Sequence, residues 1–311
     1  MSLVSIVLPT YNRAHVLPRA ITSIFRQNFS DWELIVVDDG STDDTRNVLQ
    51  LFNCPKLRVV ALERNYGPAY ARNVGIRYAK GEIIAFQDSD DEWLPDKLSQ
   101  QVSTLLEARN AVNTVGACYS QVVFMDSDST IKKYWPELEE VEEGSCLFGV
   151  IYPRLLKGNI VDTTAMVVFR DVIQQVGGFD EDLTYLEDWD LALRIAKDWE
   201  WAFVPRPTVL SYFSPNGVNS RRDPISVWKI VKKHLDGYAV YSPKRGADWC
   251  WYAGDLLVKQ GHMKLGREAM RNAWRLSHQK HIFLGFLASH FGSSTYRRLS
   301  ELFSYSRRYS K

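Results

Sequence analysis

The chain lacks most of what would staple a small or exported fold from outside. It has only four cysteines in 311 residues, Cys54, Cys118, Cys146 and Cys250, and none is close enough to another to form a redox pair or a zinc knuckle. They are expected to be core thiols in a reducing compartment. No apolar run reaches the ~18 residues that a bilayer span requires; the most apolar late stretch, 282–288, is only seven residues long. The N-terminus has no basic region and no small-residue cleavage site, which predicts no signal peptide. These absences predict a cytoplasmic protein that meets a membrane only from its surface. Glycine is missing from Pro9-Thr10-Tyr11-Asn12-Arg13 after the first predicted strand, so that loop cannot wrap a pyrophosphate as a dinucleotide-binding loop does.

A strong net charge is missing too, since 38 basic residues nearly balance 37 acidic ones to leave +1. That balance hides a division. Residues 217–311 carry 18 Lys and Arg against 6 Asp and Glu, a net of +12, whereas residues 1–216 carry a net of −11. An acidic body joined to a basic tail is predicted. With 45% hydrophobic and 24% charged residues, disorder, collagen-like repeats and a disulfide scaffold are excluded. A chain of this length can bury about three quarters of its unfolded surface and suggests about two domains.

The first hundred residues alternate β-branched runs with helical patterns. Strands are predicted at 3–8, 32–38, 57–61 and 82–86. Between them Val16, Leu17, Ala20, Ile21, Ile24 and Phe25 share one helical face, and 68–79 reads as a second helix. This rhythm implies right-handed crossovers and a parallel sheet covered on both faces, with its crevice beyond the carboxyl ends of the strands. From about Val115 the pattern turns mixed: strands at 115–125 and 165–169, an acidic loop at 137–143, a Gly177-Gly178 turn and a helix at 187–198. After Phe213 the chain is mainly helical, at 224–241, 247–260, 264–277 and from His281 onward. Trp228, Trp249, Trp251 and Trp274 are expected to pack these helices together.

Four strand-end segments carry the chemistry. In Pro9–Arg13 the exposed Tyr11 offers a flat face to a nucleobase. In Asp38-Asp39-Gly40-Ser41-Thr42-Asp43 a carboxylate can accept hydrogen bonds from a ribose or a base N–H. Asp88-Ser89-Asp90-Asp91 places three carboxylates within four residues, which is stable only with good solvation or a shared cation. A hard ion with oxygen ligands, Mg²⁺ or Mn²⁺, suits that set. Glu187-Asp188, at the start of a predicted helix, can supply a general base.

Taken together, Val4–Asn12, Val36–Asp43, Asn65…Gly67…Ala71-Arg72-Asn73…Gly75, Asp88–Asp91 and Gly178-Phe179-Asp180…Glu187-Asp188 resemble the family 2 glycosyltransferases of the GT-A fold, over residues 3–215. The resemblance implies an α/β GT-A domain with a nucleotide-sugar-binding half at 1–110 and an acceptor-binding half at 111–216, followed by a basic helical region at 217–311. It implies that Tyr11 and Asp39 bind the base of a nucleotide-sugar donor, with Pro9 and Thr10 beside them, and that Arg72 approaches the nucleotide. Asp88 would face ribose and metal, Asp90 would be the direct ligand of Mn²⁺ or Mg²⁺, Asp188 would be the catalytic base, and Glu187 would lie on the acceptor side. No histidine occurs in 212–222, where some members supply a further metal ligand. The Gln-X-X-Arg-Trp signature of processive synthases is absent as well, so single-sugar transfer is implied. The expected reaction is inverting transfer from a nucleotide sugar, with UDP favoured, to a glycan or lipid-linked acceptor in bacterial surface polysaccharide synthesis. No nucleic-acid partner is expected, and 217–311 is the segment suited to peripheral contact with the inner face of the plasma membrane.

Three rival readings share parts of this pattern. A sugar-nucleotide pyrophosphorylase needs a Gly-rich basic loop where Pro9–Arg13 has none. A phosphohydrolase carries its nucleophilic aspartate after the first strand, not the fourth. A non-catalytic carbohydrate-binding protein gains nothing from a metal-type triad and a separate Glu-Asp pair.

Overall fold

A computed structural model describes residues 2–126, 130–137, 148–212 and 223–308, with side chains up to residue 300. Residues 127–129, 138–147 and 213–222 lie outside it. They include Cys146 and most of the predicted acidic loop. By its internal contacts the chain forms two compact units, residues 1–155 with 159–217, and 156–158 with 218–311.

The first unit begins as the alternation predicts: β1 (Val4–Thr10), α1 (Leu17–Phe25), β2 (Trp32–Asp38), α2 (Thr45–Gln50), β3 (Leu57–Ala61), α3 (Pro68–Tyr78) and β4 (Ile83–Phe86). β2, β1 and β4 pair in parallel, and β3 extends the sheet beside β2. All seven residues of β1 are buried, as expected of a central parallel strand covered on both faces. On α1, Leu17, Ala20, Ile21 and Ile24 are buried as predicted. Phe25 instead turns outward and stacks on Trp32, with ring centroids 5.9 Å apart.

Beyond β4 come β5 (Glu92–Trp93), α4 (Lys97–Ala111), β6 (Val115–Met125), β7 (Ile131–Trp135), β8 (Phe148–Gly149), α5 (Tyr152–Leu155), β9 (Met166–Phe169), α6 (Arg170–Gln175), α7 (Glu187–Asp198) and β10 (Glu200–Tyr212). The sheet order is β3-β2-β1-β4-β9-β6-β10-β5, with β7 and β8 attached at its side. β9 enters antiparallel between β4 and β6. This reversal places the residues just before β9 at the same edge of the sheet as those just after β4. Of the described cysteines, Cys118 and Cys250 are buried, but Cys54 is only half-buried, because it lies in the turn before β3 rather than inside a packed element.

The second unit consists of α8 (Pro224–Lys233), α9 (Leu235–Tyr241), α10 (Pro243–Lys259), α11 (Met263–Ser277), α12 (Lys280–Ala288) and α13 (Ser293–Arg308). The single helix predicted over 224–241 is interrupted at His234. Its core joins Val258, Met270, Ala288 and Tyr296, with Trp251 packed against it. Trp228 is buried and Trp249 and Trp251 are half-buried, as packing residues should be. Trp274 is exposed, contrary to expectation, because it lies on the outer side of α11.

One close approach sets the distance between α3 and the sheet. A Cβ placed on Gly75 would come within 2.3 Å of a Val7 methyl, so the helix carrying Arg72 lies against β1 only because position 75 has no side chain. Gly75→Ala is expected to lower unfolding stability by about 1–3 kcal/mol through overpacking. Urea titration followed by tryptophan fluorescence measures this, and an unchanged midpoint would show that the helix has room to move.

Candidate functional site

The site forms at the carboxyl ends of β1, β2 and β4. Pro9 is buried within β1, in register with Val37. The Thr10 carbonyl accepts the Asp39 N–H at 2.8 Å, while the Thr10 hydroxyl is buried with no hydrogen-bond partner among the described residues. Tyr11 is 42% exposed. Asn12 adopts a left-handed backbone with φ 52°, a conformation asparagine tolerates better than most residues. Its side-chain oxygen accepts the Thr42 N–H at 2.8 Å, and its own N–H donates to the Ser41 hydroxyl at 3.0 Å. The loops after β1 and β2 are thereby joined.

The paired aspartates that end β2 point to different duties. Asp38 accepts from the Ser41 N–H and the Arg46 guanidinium. Asp39 accepts the backbone N–H groups of Tyr66 and Gly67, both at 2.8 Å. Burial raises the Asp39 pKa, and those two bonds oppose the rise. Asp39 therefore anchors the start of α3 and holds in place Tyr66, which is exposed and stacked on Tyr70 at 4.6 Å.

Arg72, on α3, is the hub. Its guanidinium is buried and donates to Asp88 Oδ1 at 2.7 Å and to Glu187 Oε1 at 2.8 Å. Burial alone would lower its pKa, but the two carboxylates outweigh this and hold it above the ordinary arginine value. Asp88, from the loop after β4, is thus tied to the first residue of α7.

Asp88, Asp91 and Asp162 bring carboxylate oxygens within 4.8 Å of one another. Asp90 lies outside this group, 3.5 Å from the Arg13 guanidinium. Burial and then the Asp88 charge raise the pKa of Asp91 well above the usual range and that of Asp162 to about 6. Asp90 rises for the same two reasons. Carboxylates that resist ionising side by side are those a divalent cation would relieve, and an all-oxygen donor set fits Mg²⁺ or Mn²⁺. By this measure Asp88, Asp91 and Asp162 suit such a cation, while Asp90, the expected direct ligand, lies beside that group and not within it.

Glu187 and Asp188 open α7 after Leu186, whose φ of 60° is left-handed. A non-glycine residue there stores about 1–3 kcal/mol of strain and turns the two acids into the crevice. Behind them Asp190 pairs with Arg194 at 2.7 Å, and Arg194 also donates to the Val176 and Gly178 carbonyls. Asn73, next to Arg72, exchanges hydrogen bonds with the backbone of Phe179. The predicted Gly177-Gly178 turn, with positive φ at both residues, is thereby clamped between α3 and α7. Asp188 accepts the Asn159 side-chain N–H at 2.9 Å and its neighbour Trp189's N–H at 2.7 Å. Burial, then Glu187 and Asp162, raise its pKa to about 8.

Several residues of this site escaped the sequence reading. Asp162 and Asn159 precede a strand whose antiparallel direction brings them to the crevice. The one local signal was Asp162-Thr163-Thr164, where the aspartate accepts the Thr164 N–H like a helix cap. Lys97 is fully buried, donates to Gln101 at 2.7 Å and lies 3.9 Å from the centre of the Trp93 ring. Burial lowers its pKa to about 7. Trp93 donates to Thr164, Thr164 to Gln87, and Gln87 to the Asp91 carbonyl, a polar floor beneath the acidic group.

Comparison with known proteins bears on the family and the fold. Residues 5–122 match the family model "Glycosyl transferase family 2". The chain is 40% identical, over 83% of its length and 97% of the relative's, to the putative teichuronic acid biosynthesis glycosyltransferase TuaG of Bacillus subtilis (strain 168). It is 32% identical, over 63% of its length and 70% of the relative's, to the Escherichia coli UDP-Glc:alpha-D-GlcNAc-diphosphoundecaprenol beta-1,3-glucosyltransferase WfgD. The crystal structure of S. aureus TarS 1–349 in complex with UDP-GlcNAc superimposes with a TM-score of 0.72 at 18% identity, covering 99% of this chain and 92% of that one.

The raised pKa of Asp188 has a consequence for stability. Between the ordinary aspartate value of 3.8 and about 8, the folded protein holds a proton that the unfolded chain has released. This group's contribution to stability therefore falls as pH rises through that window. Asp188→Asn removes the effect, so the variant is expected to melt above the parent near pH 8 and to lose that advantage toward pH 4. Differential scanning calorimetry at both pH values checks this; a gap independent of pH would refute it.

Proposed function

Because the chain belongs to glycosyltransferase family 2 and has its GT-A fold, we propose that it transfers one sugar, with inversion, from a UDP-sugar to a hydroxyl of a glycan or lipid-linked acceptor in bacterial surface polysaccharide synthesis. The observation that carries this reading is the Arg72 bridge, which puts the donor-side Asp88 and the Glu187-Asp188 pair in one crevice. Tyr11 offers its exposed ring to the base, with Pro9, Thr10 and Asp39 shaping that wall. The unpartnered Thr10 hydroxyl gives the nucleotide a buried hydrogen-bonding group.

Asp188 is the base. Its Oδ takes the proton of the acceptor hydroxyl while that oxygen forms a bond to the anomeric carbon. The bond from that carbon to the diphosphate breaks on the opposite face, and its electron pair leaves with the nucleoside diphosphate. A carboxylate with a pKa of about 8 is better matched to this work at neutral pH than an ordinary aspartate, because general-base efficiency peaks when the pKa lies near the operating pH. Asn159 holds its orientation, and Glu187, fixed by Arg72, faces the acceptor side.

Asp88 and Asp90 would hold the Mn²⁺ or Mg²⁺, which when bound supplies positive charge to the leaving diphosphate. Both side chains are 28% exposed, leaving the open coordination positions that a cation shared with phosphates needs. Asp91 is buried and hydrogen-bonded to Ser211. It serves with Asp162 as the back wall. The basic region 217–311 would keep the enzyme at the anionic inner leaflet, where a lipid-linked acceptor resides.

Saturation-transfer NMR against a panel of nucleotide sugars, with and without Mn²⁺, is expected to show metal-enhanced binding of UDP-sugars. Absence of any nucleotide signal with metal present would overturn the reading. Asp188→Asn is expected to cut transfer or slow donor hydrolysis by about 10²–10⁴-fold with donor Kd nearly unchanged, and normal turnover would remove Asp188 as the base. Mn²⁺ titration followed by electron paramagnetic resonance in the presence of UDP separates the ligands. Asp90→Asn is expected to weaken Mn²⁺ binding about tenfold or more and Asp91→Asn much less; the reverse order would move the metal to the Asp88, Asp91 and Asp162 group.

A further inference from the structure

The outward face of α12 is apolar where a solvent-facing helix is normally polar. Lys280, Phe283, Leu284 and Leu287 fall at i, i+3, i+4 and i+7, which is one side of a helix, and all four are exposed. Ile282, Gly285 and Ala288 fill the other side and are buried. Trp274 of α11 lies beside this face with its ring 5.5 Å from that of Phe283, and Phe291, just past α12, is 71% exposed. Trp274, His278, Lys280, Phe283 and Leu284 line an open hollow of about 310 Å³. Single exposed apolar residues need no explanation, but a contiguous patch marks a binding surface, and a helix that is apolar on both sides is usually covered on both.

Charge identifies the partner. From residue 269 to residue 300 the chain contains no Asp or Glu, and it contains five Lys and Arg: Arg271, Arg275, Lys280, Arg297 and Arg298. Across an interface between proteins, charges of both signs are usually arranged to complement the partner. An apolar patch in a stretch of chain whose only charged residues are cations complements a continuous sheet of negative charge. Lys280 shares the apolar face, so its methylene stem can lie along that surface with the ammonium at its rim, the arrangement by which lysines meet lipid headgroups. Among the described residues no helix is long and apolar enough to cross a membrane, so contact of this kind lies on the bilayer and not through it.

We propose that the exposed face of α12, extended by Trp274 and Phe291, is a docking surface for an anionic phospholipid leaflet. Phe283, Leu284, Leu287 and Phe291 enter the boundary between headgroups and acyl chains, while Lys280 and Arg275 meet the phosphates. The proposal rests on the reading of 217–311 as the membrane-facing region and names the face that performs that role. It does not depend on which sugar is transferred.

The test uses the full chain and acceptor-free vesicles of phosphatidylcholine with or without phosphatidylglycerol, sedimented at low and high salt. The protein is expected to bind the phosphatidylglycerol vesicles, more weakly at high salt. Leu284→Glu/Leu287→Glu is expected to weaken binding by about tenfold or more, with circular dichroism and donor hydrolysis unchanged. A polarity-sensitive dye on Leu284→Cys is expected to shift to the blue with these vesicles, a readout that does not depend on the charged variant folding. Undiminished binding of the charged variant, with no dye shift, would overturn the α12 face while leaving membrane contact through other basic helices intact. No binding of the parent to anionic vesicles would overturn both. A dimer in light scattering that dissolves in the charged variant, with no vesicle binding, would assign the face to a second copy of the chain and overturn the proposal.

Discussion

The crevice depends on one buried cation. Arg72 ties the loop after β4 to the start of α7, segments about a hundred residues apart in the chain. Its single positive charge is shared between Asp88 and Glu187, and removing one partner of a buried pair typically costs about 3–5 kcal/mol because the other charge is stranded. Much of the surrounding structure sets where this guanidinium sits. Gly75 brings α3 close to β1, Asp39 fastens the first turn of α3, Asn73 fastens the loop at Phe179, and Arg194 fastens the same loop from α7. The acidic group beyond Asp88 gains from the same charge, since Arg72 lowers the pKa of both Asp162 and Asp188.

How much of this could be read from sequence followed the range of the forces involved. The strands and helices of the first hundred residues were legible because apolar periodicity and turn residues are local signals, and the parallel pairing of β1 with β2 and β4 is what the strand-helix alternation implies. The carboxyl ends of those strands then had to meet, which brought out Tyr11, Asp39 and Asp88. Asp162 and Asn159 were hidden for the opposite reason. Their place depends on β9 running antiparallel between β4 and β6, and the pattern Met166–Phe169 is the same in either direction. Lys97 was hidden because a lysine at a helix start reads as a solvated residue, and only the fold shows Trp93 and Gln101 enclosing it.

The motif residues also divide their labour differently from what a run of acids suggests. Asp38 and Asp39 are neighbours in sequence, yet one braces α2 through Arg46 and the other braces α3 through two backbone N–H groups. Asp88, Asp90 and Asp91 likewise face Arg72, Arg13 and Ser211 in turn. Tight turns at strand ends send successive side chains in different directions. A short acidic motif can therefore serve as framework and as ligand at once.

The raised pKa of Asp188 has one more implication for the proposed reaction. A permanently ionised base beside an activated sugar would draw a proton from the nearest water as readily as from an acceptor, and the donor would be lost to hydrolysis. Burial and its acidic neighbours raise the Asp188 pKa to about 8 and so favour its uncharged form at neutral pH. In the proposed reaction, burial would thus act as a safety catch on the base, released by positive charge entering the crevice.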